Sequence, residues 1–335
     1  MYKPITIKDI ARALAISPST VSRALSDSYE INEVTKKRIL DYAEAHKYKR
    51  NPIASSLRHG RSYSIGVVVC EVANSFFSQA INGIESVAYA KGYHVIISQS
   101  HDAYEREVMN IEHLASRSVD GLLISMSAET TDFSHIVDLH GRGLPFVFFD
   151  RIINEFETHT VTVNNREGAR KATQSLIDKG FRHIVHLANA PHLSITAERL
   201  EGFKDALRDN QIPYSDTLVR YCHHGGRLQE EIEDAVTYFA NLDQKIDAIF
   251  VASDRLSMGC IQAYHQLQPL MQPPAIAGFS NSDSLNMLQL DFTCVRQPAF
   301  EMGRAATEKL IQLIESRYPV YHFENIVLET EIITH

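Results

Sequence analysis

From Ser64 onward the chain alternates short apolar runs with stretches of helical periodicity, and it does so in two successive series. The first series has apolar runs at Ser64–Cys70, Tyr93–Ile97, Asp120–Ser125 and Phe146–Phe149. Helical patterns at Phe77–Lys91, Glu105–Ser116 and Thr131–Gly141 lie between them. In the second, runs at His183–Leu187, Leu218–Tyr221, Ala248–Ala252, Ala275–Phe279 and Cys294–Gln297 read as strands. Their helices are Asn165–Lys179, Leu200–Asn210, Leu228–Asn241, Arg255–Gln266 and Ser282–Leu290. Continuous apolar strands alternating with helices imply parallel sheets covered on both faces. The prediction is an α/β body of two doubly wound lobes, with a ligand cleft between them at the carboxyl ends of the strands.

The first sixty residues are different in kind. Residues 1–61 hold twelve Lys and Arg against six acids, a net +6, which leaves 21 basic and 35 acidic residues, a net −14, for residues 62–335. A small cationic head on an anionic body fits a nucleic-acid reader joined to a domain with another task; a merely solvated basic face is the plainer alternative. The pattern of the head decides between them. Thr6-Ile7-Lys8-Asp9 is a helix start, a hydroxyl N-cap with a carboxylate three residues on, followed by Ile7, Ile10, Ala11 and Leu14 at helical spacing. Ser17-Pro18 starts a second helix, with serine as cap and proline where its missing N–H costs nothing. That helix has Val21, Ala24 and Leu25 on one side and Ser19, Thr20, Ser22 and Arg23 on the other. Two short helices across a tight turn make a helix-turn-helix, the second helix being the one that enters the major groove. A third, from near Asn32 through Val34, Ile39, Leu40 and Ala43, completes the small core. Beyond it, Asn51-Pro52-Ile53-Ala54-Ser55-Ser56-Leu57-Arg58 is a helix too short to stand alone in water, and Leu57 suits an apolar wedge in the minor groove.

The runs Ile7-Lys8-Asp9-Ile10-Ala11, Ser17-Pro18-Ser19-Thr20-Val21-Ser22-Arg23-Ala24-Leu25 and Asn51-Pro52 with Ala54 and Leu57 closely resemble the lac repressor family of bacterial transcription regulators. The body resembles that family's effector domain, which is similar to periplasmic sugar-binding proteins, so the resemblance covers essentially the whole chain. It implies a dimer on a palindromic operator of double-stranded DNA, with paired hinge helices inserting leucines. It also implies control by a small-molecule effector (a sugar, a sugar phosphate or another metabolite) in the cleft. The domains expected are a head at 1–50, a hinge at 51–62 and a body at 63–335. The first lobe is expected at about 63–162 and 298–318, the second at about 163–297 and 319–335. By resemblance the DNA-contacting residues are Thr6, Ser17, Pro18, Ser19, Thr20, Ser22, Arg23, Asn51, Ala54, Leu57 and Arg58. Arg23 suits a bidentate guanine contact, whereas Pro18 offers a base nothing beyond contact with a thymine methyl. Ser19 and Thr20 serve equally well as caps of their helix.

The effector residues carried over are Phe76, Phe77, Asp150, Leu193, Ile195, Arg199, His223, Ser253, Asp254, Ser280 and Gln297. Core packing for the phenylalanines and an ordinary ion pair for Asp150 and Arg199 are the plainer readings. Ser280 stands where sugar- and nucleoside-responding relatives carry a carboxylate, and Leu193 and Ile195 replace polar groups, so the pocket is expected to be less polar than a typical sugar site. A partly apolar or anionic metabolite follows. The alternative is a body that binds a protein partner such as a phosphocarrier protein.

Enzyme and metal readings find little support. No G-x-G-x-x-G follows a strand and there is no Walker loop. Gly278-Phe279-Ser280-Asn281-Ser282 misses the nucleophile elbow, and His224-Gly225-Gly226 supplies only half of a hydrolase oxyanion loop. Sixteen histidines include no metal-spaced helical pair, so no metal, cofactor or catalytic residue is expected. Four cysteines far apart suit reduced, buried thiols. The absence of an 18-residue apolar run and of a signal core points to the cytoplasm. The strand-like C-terminus, lacking leucine heptads, points to a homodimer.

Overall fold

A computed structural model describes residues 5–48, 61–116, 119–267, 274–282 and 292–334. The chain separates into two compact units, Met1–Ser62 and Tyr63–His335.

The first unit is all-helical: α1 Ile7–Leu14, α2 Pro18–Leu25 and α3 Glu33–Ala45. Thr6 and Asp9 form the reciprocal capping box that the sequence pattern called for, and Ser17 caps α2 by accepting from the Thr20 N–H. Ile10, Ala11, Leu14, Val21, Ala24, Ile39 and Ala43 make the core. Val34 and Leu40, expected in that core, are exposed. The helical period explains this: Ile39 and Ala43, four apart, share the inner face, and Leu40 lies about 100° round from Ile39. The hinge residues Asn51, Ala54, Leu57 and Arg58 fall outside the described residues, as does most of the helix expected at Ser282–Leu290.

The second unit holds two six-stranded sheets. The first contains β1 Ser64–Val69, β2 His94–Gln99, β3 Gly121–Ile124, β4 Phe146–Phe149, β5 Thr160–Val163 and β11 Asn325–Leu328, in the order β11-β5-β4-β3-β1-β2. The second contains β6 Ile184–Ala188, β7 Val219–Tyr221, β8 Ala248–Val251, β9 Ala275–Phe279, β10 Phe292–Arg296 and β12 Glu331–Thr334, in the order β12-β10-β9-β8-β6-β7. Among the described pairings all are parallel except β10 with β12. Alternate residues of each sheet enter cores on opposite faces. In the first, Val67, Val69, Leu123, Val147 and Phe149 pack under α4 Ser75–Ala90 and α11 Ala299–Glu315, while Val68, Leu122, Ile124 and Phe148 face α5 Tyr104–Ser116 and α6 Ser134–Gly141. In the second, Ile184, Phe250 and Phe279 meet α7 Asn165–Asp178 and α8 Ser194–Asp209, and Val185, Leu187, Ile249 and Val251 meet α9 Gln229–Ala240 and α10 Asp254–Leu267. All four cysteines are free and buried.

One boundary differs from the expectation. The expected second lobe includes residues 319–335, yet Asn325–Leu328 pairs with Thr160–Val163 on the edge of the first sheet. The cause is α11, whose Met302, Ala306 and Leu310 are buried with Val147 and Phe149, so the strand that follows it emerges beside that sheet. Only Glu331–Thr334 crosses to the second sheet.

Candidate functional site

In the head, Pro18, Ser19 and Arg23 are exposed and Ser22 is half-buried; at i, i+1, i+4 and i+5 they share the outward face of α2. The Arg23 side chain is half exposed and lies 3.3 Å from Glu30, a contact weak enough to be exchanged for another acceptor. Ser17 lies within hydrogen-bond reach of the hydroxyls of Ser19 and Thr20, at 2.7 and 2.8 Å. Thr6 is turned to its own helix, its hydroxyl 2.6 Å from Asp9 Oδ2. Of the residues expected to contact DNA that are described, Pro18, Ser19, Ser22 and Arg23 share one outward surface, and Thr6, Ser17 and Thr20 are engaged at the helix starts.

In the body, each sheet changes winding direction beside its first strand, β1 next to β3 and β6 next to β8, and the segments leaving the carboxyl ends of the strands converge there. The cavity is lined by Asn74, Phe76 and Phe77 after β1, by Asp150 and Arg151 after β4, and by Asn189, Ile195 and Arg199 after β6. The remainder of the lining is Ser253 and Asp254 after β8, Phe279, Ser280 and Asn281 at the end of β9, and Gln297 after β10. Nine of the eleven carried-over residues meet in this one place. The enclosed volume is about 60 Å³.

The exceptions have physical causes. His223 is exposed, its backbone N–H tied to the Glu231 carboxylate at 3.2 Å, outside the cavity lining. Leu193 is buried against Ala128, Ala190 and Ile195 rather than facing the cavity. The lining also holds Asn74, Arg151, Asn189 and Asn281, four polar groups contributed by loops that the sequence does not single out. The carboxylate missing at position 280 has a counterpart, since the Ser280 hydroxyl donates to Asp254.

The electrostatics of the lining follow from burial. Arg199 is 3% exposed; its Nε donates to Asn165 Oδ1 at 2.9 Å, its Nη1 to the Ala252 carbonyl, and its guanidinium lies 3.7 Å from the centre of the Phe279 ring. Burial brings it down to about 10, so it remains charged at neutrality. Asp150 has φ 60, a left-handed conformation seldom adopted by residues other than glycine, asparagine and aspartate. Burial raises its carboxyl, with the charges of Arg151 and Arg199 opposing that rise. Asp254 is likewise raised by burial, against the Ser280 hydroxyl. Arg151 is held by Asp102, with Cys70 Sγ at 3.3 Å. Among the lining atoms, Arg151 Nε, Asn189 Nδ2 and Gln297 Nε2 are buried donors without a hydrogen-bond partner among the described residues. The cavity thus offers both acceptors and unspent donors. Among the described residues, no group of three or more His, Cys, Asp or Glu side chains is placed to hold a metal ion, and no helix is long and apolar enough to cross a membrane.

A three-helix head with an exposed recognition face, and a two-lobed α/β body with a polar cleft, define a ligand-responsive DNA-binding regulator. Residues 6–51 match the family model for bacterial regulatory proteins of the lacI family, and residues 62–331 match that for periplasmic binding proteins and the sugar binding domain of the LacI family. The chain belongs to the LacI family of DNA-binding transcriptional regulators. It is 28% identical over 321 residues to the ribose operon repressor of Halalkalibacterium halodurans, covering 95% of this chain and 93% of that one. It is 29% identical over 309 residues to catabolite control protein A of Priestia megaterium, covering 91% of each. The lac repressor dimer bound to operator and the anti-inducer ONPF shares the fold, with a TM-score of 0.76 at 20% identity over 99% of this chain and 98% of that one.

Proposed function

We propose that this regulator binds its operator as a homodimer in the cytoplasm, has no enzymatic activity, and is controlled by a small hydroxylated metabolite held between the lobes. The observation that carries this reading is Arg199. It is buried in a cleft, stacked on Phe279, and has no carboxylate within 4.0 Å among the described residues. A buried guanidinium without an ion-pair partner is costly unless something else completes it. Asp150 supplies an acceptor to the same space, while Asn189 and Gln297 supply donors. Groups that donate and accept at once, as hydroxyls do, satisfy that mixture. The relatives named for ribose and catabolite control agree with carbohydrate or central metabolism. A volume of about 60 Å³ is well below the ~300 Å³ of an ordinary small-molecule pocket, so the lobes part to admit the effector. Its grip can shift the DNA-binding equilibrium only by its differential affinity for the two states.

The domain plan proposed is a DNA-reading head at 1–50, a hinge at 51–62 and an effector body from 63, with Asn325–Leu328 belonging to the first lobe. In the head, Pro18, Ser19, Ser22 and Arg23 face the bases, and Asn51, Ala54, Leu57 and Arg58 serve the hinge. The test is thermal shift of the full chain against pentoses, hexoses, their phosphates, nucleobases and organic acids. One compound class raises Tm, and Arg199→Ala removes that rise without changing operator affinity of the free protein. An Arg199→Ala protein that still responds removes the residue from the site. The small cavity also suits a second reading, in which the body binds a protein such as a phosphocarrier. Co-purification of a partner, with no response to any compound, would favour it.

A further inference from the structure

The segment Cys222-His223-His224-Gly225-Gly226-Arg227, which contributes nothing to the cavity lining, sits where the second lobe meets the first. It is braced from its own side. The Glu231 carboxylate accepts from the backbone N–H groups of His223 and His224, at 3.2 and 3.1 Å, and lies 2.9 Å from His224 Nδ1. Cys222 N–H donates to the Ala188 carbonyl at 2.8 Å, Gly225 N–H to Cys222 at 3.1 Å, and Arg227 N–H to His224 at 3.1 Å. Gly225 and Gly226 both have positive φ, 62 and 78.

The surface it meets is braced just as closely. In the first lobe, Ala128 N–H donates to Asp102 Oδ1 at 3.1 Å, Glu129 N–H to the Asp102 carbonyl at 3.2 Å, and Ser127 N–H to the buried Glu107 at 2.5 Å. A Cβ built on Gly225 would lie 3.5 Å from Asp102 Oδ2 and 3.8 Å from Ala128 Cβ, so the glycine backbone rests directly on this platform. Arg227 then reaches across, its Nη2 2.5 Å from Glu129 Oε1. A second ion pair, Arg255 with Glu71, joins the lobes, as does a reciprocal amide contact between Gln79 and Asn281.

We propose that the 222–227 segment is a clasp which holds the lobes together before any effector arrives, with the Arg227–Glu129 pair setting how often they part. Two rigid loops joined by a breakable contact make a two-state element, so a ligand that needs the open form binds in competition with the clasp. The pair is about a third exposed at each end, 38% and 31%, which places it among contacts that shift an equilibrium by a small factor.

This inference rests on the two-lobed receptacle reading, and the clasp itself is tested without a ligand, the compound panel serving only to test that reading. Hydrogen–deuterium exchange is followed in the full chain without additives, at 125–130 and 222–231. Arg227→Ala and Glu129→Ala each speed exchange in both segments together, by about two- to five-fold, the factor expected of a partly exposed ion pair. The double reversal E129R with R227E returns both segments toward the parent rate, which a merely damaged fold would not do. Exchange at 125–130 that is unchanged in both single variants overturns the clasp. A failed receptacle reading shows itself differently: the variants still exchange faster, but no compound in the panel slows any of them.

Discussion

Acidification offers a test of the packing that carries Arg199. His186 lies on β6 with no exposed surface, its ring stacked on Phe250 at 4.6 Å and near Phe203 at 5.4 Å. Its Nδ1 is 3.0 Å from the Phe250 carbonyl, which fixes the proton on that nitrogen, and its buried Nε2 has no partner. A second proton would place a charge among phenylalanines, and burial accordingly lowers the ring to about 4, with the charge of Arg199 adding to the effect. The unfolded chain protonates the same ring near 6.5. Because the folded value is the lower one, the stabilisation is complete above pH 6.5 and is lost as pH falls through 4. The whole loss is about 3 kcal/mol, and about 2.5 kcal/mol of it has occurred by pH 4.5. His186→Phe keeps the aromatic stack and removes the titration, at a constant cost for the lost hydrogen bond. In urea unfolding between pH 7.5 and 4.5, the parent should lose about 2.5 kcal/mol more than the variant. Curves that fall in parallel to within about 0.5 kcal/mol would refute the reasoning. The consequence reaches the cleft, since the stack continues from Phe250 to Phe279 and from there to the Arg199 guanidinium.

Two further outcomes follow from the packing. A Cβ at Gly303 would stand 2.0 Å from the Ala80 carbonyl oxygen, and one at Gly83 equally close to that of Phe300, so α4 and α11 cross backbone to backbone. Gly303→Ala should cost about 1–3 kcal/mol, the usual range for overpacking, and lower the Tm of the body by several degrees; an unchanged melt would mean the helices separate freely. In the head, Thr6→Ala removes the hydroxyl half of the capping box, leaving the backbone N–H of residue 6 to donate to Asp9, and should destabilise α1 by about 0.5–2 kcal/mol, seen as faster amide exchange over residues 7–14. Thr6→Ser should restore the parent rate, and a Thr6→Ala protein with parent-like exchange would show that tertiary packing alone holds the helix end.

Much of the architecture was legible because its signals are local. Ser17-Pro18, Thr6 with Asp9, and the apolar runs of β1, β3, β4 and β8 each announce an element from within a few residues. What escaped depends on pairing between distant segments. Thr160–Val163 is a four-residue strand of alternating threonine and valine, too short and too polar to stand out, and its partner Asn325–Leu328 lies 165 residues away. The same rule governs the cleft. Asp150 and Arg199 could be carried over because each sits in a distinctive local run, whereas Asn189 and Asn281 lie in loops without pattern and become site residues only when both sheets are assembled. Val34 and Leu40 failed for a third reason: apolarity was read as burial, although apolar atoms also make up much of any folded surface.

The substitution at position 280 shows how a site can keep its chemistry while changing the residue that a linear comparison inspects. Read along the chain, serine in place of a carboxylate removes an acceptor and makes the pocket apolar. In three dimensions Ser280 lies at the end of β9, beside the start of α10, and its hydroxyl is spent on Asp254. That hydrogen bond opposes the rise that burial imposes on the Asp254 carboxyl. The acceptor of this region is therefore the carboxyl at the neighbouring helix start, with the serine as its support. Asp150 from the first lobe and Asp254 from the second line the same cavity as Arg199, so both lobes supply a carboxyl to it. A ligand touching both carboxylates must bridge the cleft, and bridging is what couples its affinity to the separation of the lobes.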